Sequence, residues 1–237
     1  MILTIEGIQL NNSLQKIGQT QGFFSYHTSW GATVQYLYSR PSGFGIRTSL
    51  AYTSVSANTR ANSLRLAKQY QLNDNYYENY GKNEVLGFVH TIEFNAGINY
   101  TFFIMKFLRL DAIVMPGIRR SSFDDLYVFS AAVTTSRQPV VLESVERDIT
   151  YKNKVIYKPF FNAGFTLAMN KSWRINPFAY ICYSFIPAYD VRFNVKDQHY
   201  TTTDKKKTID HREQNVKLNF SGLKAGAGVM IRLGKSG

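Results

Sequence analysis

Alternation with a period of two runs through most of this chain. In Lys224–Leu233, Ala225, Ala227, Val229, Ile231 and Leu233 share one parity, and Lys224, Gly226, Gly228, Met230 and Arg232 the other. Side chains of a strand project to opposite faces with this period, so such a stretch is a strand between an apolar and a polar medium. Six more stretches repeat the pattern. Residues 23–39 set Phe24, Tyr26, Trp30, Val34, Tyr36 and Tyr38 against Gly31, Thr33, Gln35 and Ser39. Residues 44–54 set Phe44, Ile46, Leu50 and Tyr52 against Arg47, Ser49 and Thr53, and 86–102 set Phe88, Ile92, Phe94, Ile98 and Tyr100 against Thr91, Glu93, Asn95 and Asn99. Residues 108–119, 156–169 and 173–186 follow the same rule, and the last strand is expected over 216–233 with a bulge at Ser221-Gly222. Pro116, Pro159 and Pro177 interrupt the pattern and are expected at bulges or near the rims, because proline cannot donate to a ladder.

The connections alternate in length. Short turns at 40–43, 102–107 and 170–172 fall on one side, and long loops at 55–85, 120–155 and 187–215 on the other. That order requires one more strand ahead of residue 23, which Ile2–Leu10 supplies. The expectation is one all-β domain over 1–237, an eight-stranded antiparallel up-and-down transmembrane β-barrel with long extracellular hairpin loops. The first loop offers a helical turn at Asn62–Gln71; the second and third read as hairpins beyond the membrane with exposed edges that can recruit another chain's strand, the alternative being that they pack on one another as a lid.

Composition agrees without deciding. Mean hydropathy is −0.23 and no apolar run is long enough for a transmembrane helix, but barrel strands need apolar residues only at alternate positions. Seventeen Phe and sixteen Tyr suit aromatic girdles at two bilayer interfaces. A soluble lipocalin-like barrel has the reverse sense, apolar inside; the small polar residues of one face, aromatics near strand ends of the other, and unequal turns favour the membrane. The lone Cys182 forms no internal disulfide and reads as a packed thiol. Met1–Glu6 does not have the form of an export signal, so one is expected to have been removed ahead of the first strand.

The pattern resembles the small outer-membrane barrels of the OmpA/OmpX type. The likeness is sharpest at Lys224-x-Gly226-x-x-Val229-x-Ile231, which is similar to the terminal signal read by outer-membrane assembly machinery. The strand ends on Leu233 rather than an aromatic, and Gly-Lys-Ser-Gly237 follows. The resemblance implies the outer membrane of a Gram-negative bacterium, with outer-membrane lipid and lipopolysaccharide as surroundings.

Net charge is +12. The long loops hold 15 basic and 13 acidic residues, and the remainder 13 basic and 3 acidic. A lumen network is therefore expected from Arg47, Glu93, Arg109, Asp111, Arg119, Arg174, Lys224 and Arg232, with Glu6. Such charges must be paired where they are buried. The bland outcome is a salt-bridged plug; the sharper one is an anion-favouring lumen, although eight strands leave little free bore. Arg40, Lys106, Lys171 and Lys235 fall on the short-turn side, where phospholipid head groups or a periplasmic partner are candidate contacts.

Candidate interaction residues are Tyr76, Tyr77 and Tyr80 in the first loop, stiff amphipathic area of the kind used at interfaces, and Lys205, Lys206 and Lys207 in the third, facing lipopolysaccharide phosphates. Nucleic acid is not an expected partner. His27-Thr28-Ser29 has the His-x-Ser spacing of barrel lipid A deacylases, but its parity faces the lumen; His90 has the right parity but Ile92 two residues on. His199 and His211 lack tight cysteine or carboxylate spacing, so no metal or cofactor is expected. The expected role is a non-enzymatic structural or adaptor barrel binding a protein partner, with a larger outer-membrane assembly as one setting for it. The alternatives are a lipid A-modifying enzyme and a narrow solute channel.

Overall fold

The computed structural model describes residues 2–11, 30–39, 42–57, 59–70, 72, 88–134, 141–169, 175–202, 207–218 and 221–232. Twelve strands and one helix follow in chain order: β1 (Ile2–Asn11), β2 (Trp30–Ser39), β3 (Phe44–Ser56), α1 (Thr59–Gln69), β4 (Phe88–Met105), β5 (Leu108–Phe123), β6 (Leu126–Thr134), β7 (Val141–Tyr151), β8 (Val155–Met169), β9 (Ile175–Phe185), β10 (Tyr189–Thr201), β11 (Lys207–Leu218) and β12 (Gly222–Arg232). They form two sheets. Eight antiparallel strands close a barrel in the order β1-β2-β3-β4-β5-β8-β9-β12, and the other four form a sheet in the order β11-β10-β7-β6.

In the barrel the alternation of the sequence becomes two surfaces. On β4, Phe94 is 57% exposed beside Glu93 at 3%; on β3, Ile46 is 56% exposed beside Arg47 at 1%. Ile98, Ile118, Phe165, Ile181 and Phe185 continue the apolar outer wall. Thr33, Ser49, Thr91, Asn95, Asn99, Asn162, Thr166, Asn176 and Ser184 are buried inside with the charges. Gly43, at φ +88° in the β2–β3 turn, takes a left-handed conformation that other residues resist, and its carbonyl accepts from Thr101 N–H at 2.8 Å.

None of the three prolines makes a bulge. The β4–β5 ladder keeps its register but drops the rungs between Asn95↔Gly117 and Ile98↔Val114, where Pro116 has no N–H to give. Gly97 lies in the same gap, and a Cβ there would collide with the β5 backbone. Pro159 and Pro177 lie outside the two ends of the β8–β9 ladder, Phe161↔Phe185 and Ala168↔Phe178, while each keeps a rung on its other side, Ile118↔Pro159 and Val229↔Pro177. The irregularities are elsewhere, between Glu6 and Ile8 and between Phe103 and Met105.

Two other expectations are corrected. The stretch 216–233 is not one bulged strand: 216–218 end β11 in the small sheet, and β12 starts at Gly222 in the barrel. Ser221 fixes the crossing, its hydroxyl bonding to both the Ile186 N–H at 2.8 Å and the Ile186 carbonyl at 2.9 Å. The second and third loops are hairpins, β6–β7 and β10–β11, but they do not project separately. β7 and β10 pair from Phe193↔Tyr151 to Thr201↔Glu143, fusing them into one sheet and consuming both inner edges. The helical turn of the first loop is a full helix, α1, which starts three residues earlier than expected.

The small sheet is apolar on one face, because Val128, Val145, Ile149, Tyr151, Val191, Phe193, Val195 and Val216 share it. This face, with Leu66, Ala67 and Leu72 from α1 and its C-terminal end, packs onto the barrel rim at Val55, Val89, Phe123, Phe160 and Ile186. The result is a second core seated over the mouth. Short connectors tie this cap to the wall: only Asp124 and Asp125 separate β5 from β6. Asp125 bonds the Tyr151 N–H at 3.1 Å and Lys154 at 2.7 Å, bracing the joint.

Phe193, fully buried in this cap, gives a direct check. Phe193→Ala should cost about 3–5 kcal/mol of cap stability. Limited proteolysis should then cut within 120–155 and 187–215, while the barrel keeps its compact, heat-sensitive band on gels.

Candidate functional site: a charged interior beneath a capped mouth

Inside the barrel, two carboxylates each gather two cations. Glu93 on β4 receives Lys224 of β12 at 2.6 and 2.8 Å and Arg119 of β5 at 3.3 Å. Asp111 on β5 meets Arg109 at 3.3 Å and Arg47 of β3 at 3.4 Å, and accepts from Thr101 Oγ1 at 2.7 Å. Arg47 also reaches Thr166 of β8 at 2.8 Å, and Arg109 reaches the Met230 sulfur at 3.0 Å. All six charged side chains are buried. They come from four strands of the ring, so the network ties opposite walls together. Desolvation makes each cation costly unless its acceptor stays in place.

Of the eight network residues expected, six therefore meet in these two clusters. Arg174 lies outside the described residues, and of Arg232 only the backbone is described, opposite Ile2 of β1. The side chain of Glu6 is likewise outside them; its backbone pairs with Thr33.

A cavity of about 30 Å³ separates the clusters, lined by Arg47, Glu93, Lys224, Thr33, Ser49 and Asn95 among others. That is room for a water-sized guest. On its capped side Phe160 packs against Lys224, with ammonium and ring centroid 5.6 Å apart, and the cap core follows. Below it Ala168, Phe178 and Met230 form an apolar cluster toward the short turns. Ile113, Met115 and Cys182 pack together at mid-height, which makes Cys182 a buried packing residue.

The cap carries a third charged cluster. Asp197 of β10 takes a two-pronged bond from Arg147 of β7, both arms at 2.7 Å, with Arg212 of β11 at 3.0 Å and the Tyr70 hydroxyl at 2.7 Å. Arg147 also donates to Gln69 Oε1 at 2.9 Å, so the end of α1 is fastened to three strands at one point. Burial alone would raise Asp197, but the Arg147 and Tyr70 bonds and the charge of Arg212 hold its carboxyl below the usual range. Burial, then Asp197, pushes the Tyr70 hydroxyl up to about 12. None of these residues stood among the expected site residues, although the chain carries a signal for them. Asp197 continues the parity of Val191, Phe193 and Val195, and Arg147 sits between Val145 and Ile149 on theirs. A charge on an apolar parity in two neighbouring hairpins marks a buried pair.

Of the candidate interaction residues, Tyr76, Tyr77, Tyr80, Lys205 and Lys206 lie outside the described residues. Lys207 opens β11, with its backbone opposite Tyr200. In the assembly-signal stretch, Lys224 points inward to Glu93, and Val229 lies on the exposed wall.

His27 and Ser29 are outside the described residues. His90 has a different environment from the His-x-Ser motif. Its ring stacks between Tyr52 and Phe88 at the outer rim, with Nδ1 2.9 Å from the Tyr52 hydroxyl and 3.2 Å from Ser54 Oγ, and Nε2 3.5 Å from Asp124. Ser54 is 3% exposed, so its hydroxyl is shut away from a substrate, and the nearer Tyr52 hydroxyl competes for the same nitrogen. This is a rim fastening in an aromatic band. Among the described residues no three His, Cys, Asp or Glu side chains converge as a metal would require, and no helix is long and apolar enough to cross a membrane.

No protein-family model and no curated protein matches the chain. Among solved structures it is similar to a major outer membrane protein from Thermus thermophilus, at 8% identity over 98% of both chains with a TM-score of 0.43. It is also similar to the beta domain of the Bordetella autotransporter BrkA, at 10% identity over 98% of both chains with a TM-score of 0.28. At that level of likeness neither carries a residue or a role over to this chain.

The clusters can be probed one carboxylate at a time. Glu93→Gln leaves Lys224 and Arg119 buried without their shared acceptor and should cost about 3–5 kcal/mol in a reversible unfolding titration, whereas Arg47→Gln, which still leaves Asp111 paired with Arg109, should be milder. The cap should also loosen at both ends of the pH range. Asp197 contributes stability that is present above its unfolded value near ~4 and is lost as pH falls through its lower folded value. Tyr70 keeps in the fold a proton that the unfolded chain releases near ~10, so its contribution disappears as pH rises from there toward 12. Proteolysis of α1 against pH should be slowest near neutrality, and Tyr70→Phe should remove the alkaline limb while leaving the acid one.

Proposed function

We propose that this chain is a bacterial outer-membrane β-barrel, of the eight-stranded kind in the broad OmpA/OmpX sense, that works as a non-enzymatic structural or adaptor component. The ring would cross the outer membrane of a Gram-negative cell, with outer-membrane lipid and lipopolysaccharide around it. A protein would be its partner, alone or as part of a larger assembly.

The observation that carries the reading is the inversion of the barrel. An aqueous protein does not expose Ile46, Leu50, Phe94, Ile98, Ile118, Phe165 and Phe185 on five successive strands of the ring, β3 to β9, while burying Arg47, Glu93, Asp111, Arg119 and Lys224 within it. In hydrocarbon the same arrangement places the apolar wall in its own medium, and closure gives every strand of the ring a partner on both sides. The adaptor part of the proposal rests on the capped mouth. Among the described residues the lumen is crossed by salt bridges and covered by a packed core, which argues against the channel, and burial of Ser54 argues against the rim as a lipid-modifying site. What remains for the long connections is to present a rigid, fused sheet and helix to another molecule.

Extraction should require detergent, and planar bilayers containing the protein should show no stepwise conductance. Phe94→Arg should cost roughly 2–4 kcal/mol in folding titrations into lipid vesicles, falling toward zero for similar changes near the interfaces. A stable monomer in plain buffer, or a Phe94→Arg variant that folds like the parent while Arg47→Gln collapses, would invert the assignment of faces. Purification in mild detergent should recover a stoichiometric protein partner, and unchanged lipid A mass spectra on deletion would set the enzyme aside.

A further inference from the structure

The lumen holds more positive charge than its carboxylates balance. Arg47, Arg109, Arg119 and Lys224 are buried there with Glu93 and Asp111. Outside the long loops the chain has one further acid, Glu6, so at most three carboxylates of the ring strands stand against these four cations. Geometry shows where the shortfall falls. Lys224 meets Glu93 at 2.6 and 2.8 Å, but Arg119 comes only to 3.3 Å of the same carboxylate. Both cations of Asp111 are as distant, Arg109 at 3.3 Å and Arg47 at 3.4 Å. Charge-assisted N–H···O bonds at full strength span about 2.7–2.9 Å. Arg47 lies closer to a neutral group, donating to Thr166 Oγ1 at 2.8 Å. A guanidinium 1% exposed, with its charge met at that distance, is costly in surroundings that do not hydrate it.

The cavity between the two clusters opens against that guanidinium. Arg47 and Lys224 both line it, from β3 and β12. Asn95 and Asn162 line it too, and each has a serine on its carbonyl end: Ser49 donates to Asn95 Oδ1 at 2.6 Å, and Ser184 to Asn162 Oδ1. Their amide nitrogens are therefore the ends with bonds to give. Glu93 is the one acid in the lining, and Lys224 engages both of its oxygens. Donors set around two cations select a negative guest over a neutral one. Size narrows the choice. One water takes ~10–15 Å³ on this measure, so about 30 Å³ admits a single ion somewhat larger than water and shuts out sulfate and phosphate.

We propose that this cavity is a binding site for one monatomic halide of about the size of chloride. Arg47 and Lys224 hold it by charge, and the amides of Asn95 and Asn162 by hydrogen bonds. The ion is a resident counter-charge between the clusters and not a passing solute. The site goes beyond the membrane reading and is independent of what surrounds the ring.

The test is reversible unfolding of the full chain in detergent micelles, with sodium bromide replacing sodium gluconate at constant ionic strength. Above the dissociation constant of the site, the folded-to-unfolded ratio should rise about tenfold for each tenfold rise in bromide, because the ion binds only the folded chain. Asn162→Asp is nearly isosteric, still accepts from Ser184, and brings the negative charge on the chain itself. It should lose the response, changing by less than about twofold over the same range. In crystals grown in bromide, anomalous scattering should place one peak between Arg47 and Lys224. A ratio indifferent to bromide, a response that Asn162→Asp keeps in full, or a cavity holding water with no anomalous peak would each overturn the proposal. Should Asn162→Asp fail to fold, the parent's titration and the anomalous map decide by themselves.

Discussion

Closure of the ring between its first and last strands is the constraint on which the other features depend. Nine register pairs, from Ile2↔Arg232 to Asn11↔Lys224, join β1 to β12, and the same β1 pairs β2 on its other side. Without that seam β12 and β1 would become open edges, and an edge in hydrocarbon leaves backbone groups unpaired at a cost of several kcal/mol each. Closure also creates an inside. Once eight strands form a ring, every second side chain is confined to a narrow bore, and the polar set must satisfy itself there. The sharing of Glu93 and Asp111 by two cations apiece is the local solution, and it in turn holds the walls at fixed spacing.

The capped mouth follows from the same geometry. The four strands of the small sheet leave the barrel through connectors of two or three residues, so their apolar face arrives already aimed at the rim. Val55, Val89, Phe123, Phe160 and Ile186 at the rim are apolar, and the sheet covers them. Asp197 then plays in the cap the part that Glu93 plays in the bore. One buried carboxylate collects Arg147, Arg212 and Tyr70 and fixes α1 to the sheet. A cap built in this way is a rigid extension of the wall.

Much of this was legible in the chain before its structure. Period-two alternation separates Arg47 from Ile46 and Glu93 from Phe94 without ambiguity, because one-residue parity decides face in any strand. The ring uses the strands that the alternation marks. What the pattern could not convey was which strands share a sheet. Val191, Phe193 and Val195 alternate as cleanly as Ile92, Phe94 and Ile98, although one set lies in a cap core and the other on the outer wall. Parity gives a face and not its environment, so the hairpins looked independent and the run from Val216 to Leu233 looked continuous. The pairing of Glu93 with Lys224, 131 residues apart, depends on ring order and was open to inference only as a set of residues that must find partners.

The central claim is that the apolar face of the ring meets lipid and the charged face does not. Spin labels placed one at a time along β3 from Ile46 to Thr53, in protein reconstituted into bilayers, test it most directly. Collision rates with oxygen, which concentrates in hydrocarbon, should alternate with a period of two, high at positions 46, 48, 50 and 52 and low at 47, 49, 51 and 53, with a water-soluble nickel complex excluded from the first set. The contrary result is alternation in which the nickel complex reaches positions 46, 48, 50 and 52 and oxygen shows no enrichment there, for that would place the exposed wall in water.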